Sequence, residues 1–325
     1  MKRRDAIFLL AAIPLASFAQ QRSKPARIGF LYFASQKSAI DSRRYPAFLK
    51  GMSELGYVAG KNLVIEARFA DGRAERLPLL AAELVRAGVD VILAGGNPAI
   101  HAAHQATKTV PIVIAQSPDP VAQGWAASLA RPGGNITGLI SVTSEIELKL
   151  VEFMNAVVPR LARLAVLSNP TNRTHPARVV TIRNAAKPLG AALVPVSAQA
   201  PDEIERAFGA MTRERAQALI ILGDTYFLAQ ARQIADLALK NRLPSMHTIR
   251  DYAEVGGLMT FGTDIPDNFR RAAGYVDKIL KGARPGDLPI ERPTRFELTI
   301  NMKTARALGL SIPKTLQFQA DTVIE

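Results

Sequence analysis

Apolar and polar positions along the chain alternate between two periods. "RIGFLYF" (27–33) is a short apolar run of strand length, and "YPAFLKGMSELGY" (45–57) follows it with Phe48, Met52 and Leu55 on one helical face. "NLVIEARFA" (62–70) reads as the next strand. "ERLPLLAAELVRAG" (75–88) then places Leu77, Leu80, Ala81, Leu84 and Val85 at helical spacing, with Gly88 as its stop. "DVILAGG", "PIVIAQS" and "NITGLIS" continue the strands, and helices are predicted over 98–108 and 121–131. The stretch "ARPGGNITGL" (130–139) marks a hard break: Pro132 fixes its own φ and bars Arg131 from the helical region, and Gly133, Gly134 and Asn135 accept positive φ. A helix is therefore expected to end there and a strand to begin.

The same rhythm restarts after a long helix over "TSEIELKLVEFMNAVVP". Strands are predicted at 163–169, 191–197, 218–224, 243–247 and 257–262, and helices at 177–189, 202–213, 227–241 and 250–254. Strands separated by single helices imply parallel sheets covered on both faces, and the count predicts two halves of five strands each. The expected fold class is α/β, with two doubly wound parallel-sheet lobes and a ligand cleft between them. In open parallel sheets a ligand sits outside the carboxyl ends of the strands, where helix N-termini expose unpaired N–H groups.

Composition narrows the chemistry. Of the 325 residues 48% are hydrophobic, enough for a sizeable core, and the length prior favours two domains. There is no cysteine, which excludes disulfides, thiolate nucleophiles, cysteine-ligated metal centres and a lipid anchor on cysteine. The opening "MKRRDAIFLLAAIPLASFAQ" has a basic start, an apolar stretch over 7–16 and the small-x-small sequence Ser17-Phe18-Ala19, so residues 1–19 read as a signal peptide and the rest as a periplasmic protein. Arg3-Arg4 raises a twin-arginine route, which the following Asp5-Ala6 fits poorly. That apolar stretch is shorter than the roughly 20 residues of a membrane span, and no stable membrane insertion is expected. The formal charge of +13 suggests nucleic acid, but the basic residues are scattered over helix faces without interleaved stacking aromatics, so no nucleic-acid partner is expected.

At "LPLLAAELVRAGVDVILAGG", "ATKTVPIVIAQSPDPVAQGWAASLARPGGNITG" and "LPSMHTIRDYAEVGGLMTFGTDIPDNFRRAAGYVDKILKGARPGDLPIERPTRFELTINMKTARALGLSIP" the chain closely resembles the periplasmic substrate-binding proteins of ABC transporters. The match is to the subgroup associated with tryptophan or tyrosine. The resemblance implies the type I periplasmic binding fold, with two lobes joined by three crossing segments that close around a ligand. It places the first lobe at 27–140 plus about 263–290 and the second at 141–262 plus about 291–325. It further implies a small-molecule ligand, an amino acid or related small carboxylate with aromatic favoured, and as partner an ABC transporter permease with its ATPase. No cofactor and no catalytic activity are expected.

Candidate ligand-binding residues follow from the strand ends. In the first lobe these are Ser35 after the first strand, Gly96 and Asn97 after the third, and Gln116 and Asp119 after the fourth. Gly96 lets a backbone approach closely; Asn97 is either a plain N-cap or a ligand contact, and Asp119, before Pro120, is either a cap or a partner for an ammonium group. In the second lobe Asn169 and Thr171 offer short polar groups, and Asp224 with Tyr226 offers a carboxylate beside a ring, a pairing that suits an α-amino acid. Asp224 could equally be a cap, and Phe261 either a pocket wall or core. His101 and His104 lie three apart on a helix without a third ligand nearby, so no metal is expected; His175 is expected at the surface and His247 is a weak pocket candidate.

The rival functions are an exported enzyme and a sensor. "GFLYFASQKSAI" lacks the GxGxxG of a dinucleotide site, and GxSxG, P-loop and metalloprotease motifs are absent. A transcriptional sensor would need a DNA-reading segment before the first strand, where only a signal peptide and a short linker stand. A periplasmic sensor that reports ligand to a membrane receptor stays open, because the lobe-closing physics is the same.

Overall fold

The computed structural model describes residues 24–117, 119–141 and 144–325, so the signal-peptide segment lies outside the described residues. β1 (Ala26–Tyr32) is followed by α1 (Gln36–Asp41), α2 (Arg44–Glu54) and β2 (Leu63–Phe69). α3 (Leu77–Arg86), β3 (Val91–Gly95), α4 (Asn97–Ala106), β4 (Ile112–Gln116) and β5 (Ile136–Gly138) complete a first sheet, ordered β2-β1-β3-β4-β5 with every pair parallel. Its inner strands β1, β3 and β4 are almost continuously apolar because both faces are buried, whereas the edge strand β2 carries Glu66 and Arg68 in ion pairs. Ile28, Phe30 and Tyr32 of β1 pack into one cluster, while Leu31 and the following Phe33 pack into the cluster on the other face.

The chain then crosses to a second sheet. α5 (Ser144–Val157) leads to β6 (Arg163–Ser168), α6 (His175–Ala186), β7 (Ala192–Ser197) and α7 (Pro201–Arg213). β8 (Ala218–Ile221), α8 (Thr225–Ala229), α9 (Ala231–Lys240), β9 (Ser245–His247), α10 (Asp251–Glu254) and β10 (Met259–Thr263) follow. α11 (Ile265–Leu280) returns to the first sheet, and β11 (Phe296–Asn301), α12 (Met302–Ala307), α13 (Lys314–Gln319) and β12 (Thr322–Ile324) close the second. The second sheet is ordered β12-β11-β10-β9-β8-β6-β7, parallel except for the β10–β11 pair. The expectation of five strands here falls short, since the chain re-enters this sheet after α11 and adds β11 and β12.

α11 shows why the return happens. Asp264 caps it, accepting the Asp267 N–H at 3.0 Å, and Pro266 fits its first turn. Its buried stripe of Ile265, Phe269, Ala272, Ala273 and Val276 belongs to the core of the first sheet, where burying Phe269 alone contributes about 2–3 kcal/mol. It packs tightly on α2, because a Cβ on Gly51 would lie 2.2 Å from the Arg270 carbonyl oxygen. The crossings run side by side: the Ile140 N–H donates to Glu291 at 3.0 Å, the Glu291 N–H to Gly138 at 2.9 Å, and the Thr263 hydroxyl to the Ser141 carbonyl at 3.0 Å.

One predicted helix is absent. Over 121–131 the chain makes successive turns instead, with Gly124 at φ +73° in the left-handed region and the N–H groups of Trp125 and Ala126 both directed back to the Pro120 carbonyl. The apolar spacing of Trp125, Ala126 and Leu129 serves to cover the sheet edge. No helix among the described residues is long and apolar enough to cross a membrane.

Candidate functional site

A cleft open to solvent at its mouth lies between the two lobes at the carboxyl ends of their strands. The first-lobe wall starts where β3 ends. Gly96, at φ +86°, turns the chain directly into α4, a conformation that a side chain would strain. A Cβ there would also lie 3.0 Å from Thr225 of the facing lobe, so the two lobes nearly touch at this point. The Gly96 carbonyl accepts from Ile100, which leaves Asn97 as the first helical residue rather than the cap. Asn97 Oδ1 accepts from the Ser117 hydroxyl at 3.4 Å, and Gln116, 8% exposed, lines the floor beside Ser141.

The second-lobe wall is built around Asp224. It caps α8 by accepting the Tyr226 N–H on Oδ1 at 2.9 Å. The same oxygen accepts from Asn169 Nδ2 at 3.2 Å, and Oδ2 accepts from Asn172 Nδ2 at 2.8 Å. Asn169 is itself fixed by the N–H and hydroxyl of Thr171, at 3.0 and 2.8 Å. All these donors are neutral. The nearest titratable group, His175 Nε2, stands 3.9 Å from Oδ2. Its ring is buried, with Nδ1 accepting the Asn169 N–H at 2.8 Å, and burial together with the Arg178 charge outweighs Asp224 and pushes its pKa below the usual range. At neutral pH the histidine is therefore uncharged, and Arg178 is engaged by Glu147 and by the Gly223 carbonyl. The Asp224 side chain, 8% exposed, faces the cleft as a carboxylate supported only by neutral donors.

Thr248, 3% exposed, completes this wall with a hydroxyl that has no partner among the described residues. Its neighbour His247 is buried, and desolvation pushes its pKa down to about 4. Away from the cleft, Arg44 of α2 reaches across the lobes to Asp251 of α10, with Nη1–Oδ2 at 2.8 Å and Nη2–Oδ1 at 3.2 Å. Burial opposes both charges, but each partner holds the other ionised: Arg44 is raised, and Asp251 is kept below the usual carboxylate range.

Of the residues singled out in the sequence, Gly96, Asn97, Gln116 and Asp224 line this one cleft, and Asn169 and Thr171 stand behind Asp224. The others lie elsewhere. Ser35 caps α1, accepting the Ser38 N–H at 3.1 Å. Asp119 is exposed and caps a turn through the N–H groups of Val121 and Ala122, with no helix behind it. Tyr226, half-buried, packs beside Phe227 against the core covered by α7, where burial and the nearby Glu203 and Asp202 push its hydroxyl up to about 12. Phe261, half-buried, packs against the second-sheet core, edge-on to Phe153 at 5.2 Å and beside Phe296 at 5.8 Å. His175 is buried where a surface position was expected, because the strand-end turn at Asn169 needs its ring nitrogen as an acceptor. Ser141, Asn172, Thr225, Thr248 and Ile265 line the cleft without having been singled out. Thr248 follows a predicted strand and the strand-end rule would find it; Ser141 and Ile265 sit in crossing segments and carry no local signal.

A family model described as ABC transporter substrate binding protein matches residues 31–324. The chain belongs to this family. Among its relatives, a tyrosine-binding protein of Clostridioides difficile (strain R20291) is 25% identical over 287 residues, 88% of this chain and 82% of that protein. Two solved structures overlay closely. An ABC domain from Streptococcus pneumonia in complex with L-Trp gives a TM-score of 0.86 at 24% identity, covering 93% of this chain and all of the other. A conserved domain protein from Vibrio cholerae gives 0.85 at 26% identity, covering 92% of this chain. The fold of this substrate-binding protein is the type I periplasmic binding fold. Among its described residues no group of three or more His, Asp or Glu is placed to hold a metal ion.

Proposed function

We propose that this protein is an extracytoplasmic receptor that captures an amino acid in the interlobe cleft and delivers it to an ABC transporter permease with its ATPase. The observation that carries the reading is Asp224: a nearly buried carboxylate at the cleft, held by neutral donors and facing the N-terminal end of α4 across the gap. A buried anion without a cation is costly, and a ligand ammonium group supplies the missing charge. The free N–H groups at the start of α4 and their positive dipole end suit the ligand carboxylate on the other side. A zwitterion thus bridges the lobes, and contacts to both favour the closed arrangement over the open one, as differential binding requires. The tyrosine- and tryptophan-binding relatives support the amino-acid class.

We take the lobes as 27–140 with about 263–290 and 141–262 with about 291–325, so that the crossings near Ser141, Thr263 and Glu291 act as the hinge. Export rests on the basic and apolar pattern of residues 1–19. The test is thermal unfolding against the twenty amino acids and a matched set of carboxylic acids lacking an amino group. A ligand at about a hundred times its Kd adds about 2.7 kcal/mol and raises the midpoint by several degrees. An amino acid is expected to give that shift, its deaminated analogue to give none, and Asp224→Asn, which keeps the cap acceptor, to abolish it. A shift from the deaminated acid equal to that from the amino acid refutes the reading.

A further inference from the structure

The amino-acid reading sets the ligand's two charges, and this inference, which rests on it, concerns the ligand's side chain. Beyond Asp224, the cleft is lined by the carboxamides of Asn97, Gln116 and Asn172 and by the hydroxyls of Ser141, Thr225 and Thr248. Only Ile249 and Ile265 present aliphatic surface. No aromatic ring is among the described lining residues: Tyr32 is 2% exposed within the first-sheet core, and Tyr226 and Phe261 are half-buried against the core clusters of the second sheet.

One of these polar groups is buried without a partner: the Thr248 hydroxyl makes no hydrogen bond among the described residues. The Gln116 carboxamide, 8% exposed, lines the cleft from the opposite lobe. An apolar ring closed in against them would give neither a partner, and each buried polar group left unpaired weakens binding by roughly one order of magnitude or more. A ligand hydroxyl or carboxamide can serve both instead, since both can donate and accept.

We infer that the cleft selects a small polar amino acid, one whose side chain carries a hydroxyl or a carboxamide, over an aromatic one. The experiment is titration calorimetry of the purified protein, unfolded and refolded beforehand to remove co-purified ligand, with L-serine, L-threonine, L-asparagine, L-glutamine, L-leucine, L-tyrosine and L-tryptophan. At least one of the first four is expected to bind tenfold or more tighter than any of the last three. Tyrosine, tryptophan or leucine binding as tightly as the best polar ligand overturns the inference and leaves the amino-acid reading standing. If none of the seven binds and none of the remaining amino acids shifts the unfolding midpoint, the amino-acid reading itself falls, and this inference with it. Thr248→Val supplies an internal check, because it removes only the hydroxyl's hydrogen-bonding capacity. It is expected to weaken the best polar ligand about tenfold with an unchanged ligand-free midpoint, and an unchanged affinity overturns the role given to that hydroxyl.

Discussion

Replacing Asp251 with asparagine tests whether the Arg44 pair closes the lobes or merely cements the fold. Arg44 is fully buried, and Asp251 holds it through two hydrogen bonds at 2.8 and 3.2 Å from the other lobe. Its Nε has no hydrogen-bond partner among the described residues; Asp251 supplies the ion pair, while Tyr32 and Glu254 nearby also favour the charged form. Removing one partner of a buried pair costs about 3–5 kcal/mol. The Asp251 side chain is 27% exposed and asparagine can still accept one hydrogen bond, which reduces the expected cost to about 2 kcal/mol. When the lobes part, water reaches Arg44, so this cost falls on the closed state alone. Ligand binding draws on closure, and 2 kcal/mol less of it weakens the measured affinity about 30-fold. Calorimetric titration of wild type and Asp251→Asn with the best ligand gives the ratio, and thermal unfolding without ligand gives the control, expected to stay within a degree. An affinity within twofold of wild type refutes the reasoning, above all if the ligand-free midpoint drops by several degrees, because the pair would then stabilise the fold in both states. The pH dependence has a fixed sign. Asp251 is held below its unfolded pKa, so its contribution is complete at neutral pH and is lost only as the pH falls through the depressed folded value.

Two further predictions concern the second lobe. Gly262→Ala would place a Cβ 1.9 Å from the Thr248 carbonyl oxygen, a backbone atom that cannot swing aside, and is expected to cost about 3 kcal/mol; an unfolding midpoint within a degree of wild type contradicts this. The buried histidines make the protein acid-sensitive. His175 and His247 both have folded pKa values below the unfolded 6.5, so the unfolded chain binds more protons between pH 6.5 and about 4, and stability falls as the pH is lowered through that window. At about 1.4 kcal/mol per pKa unit, His247 alone withdraws up to about 3 kcal/mol by pH 4. Denaturant unfolding followed from pH 7 to 4.5 should show that slope, reduced in His247→Gln, and an identical slope in the variant removes His247 from the account.

The sheets were legible in the sequence because their inner strands are buried on both faces, which leaves unbroken apolar runs such as 28–33 and 218–222 that have few other uses. The turns over 121–131 were not, since Trp125, Ala126 and Leu129 have helical spacing whether or not Gly124 takes a left-handed conformation, and only the tertiary fold decides that. Periodicity also misses the return of the chain through α11 to β11 and β12, which is a fact about which sheet a helix covers and not about any local pattern.

The cleft was half legible for a related reason. The strand-end rule finds Gly96, Asn97, Gln116 and Asp224 because a strand followed by a helix start exposes both a backbone and a short polar side chain. It cannot separate a cap from a ligand contact, and at Asp224 the two are the same residue: the N-cap bond uses part of Oδ1, while the charge remains for the cleft. It fails for the aromatic residues in the opposite direction. Tyr226 and Phe261 sit beside the right polar neighbours in sequence, yet α8 and β10 turn their rings against the core clusters, so neither is among the walls of the site. What faces the ligand instead is decided by which polar groups from two lobes and a hinge are left without partners when the lobes meet. The Thr248 hydroxyl is such a group, and with the Gln116 carboxamide lining the cleft from the other lobe it is the ground on which we expect a hydroxyl or carboxamide ligand to fit this member of the family better than an indole or a phenol.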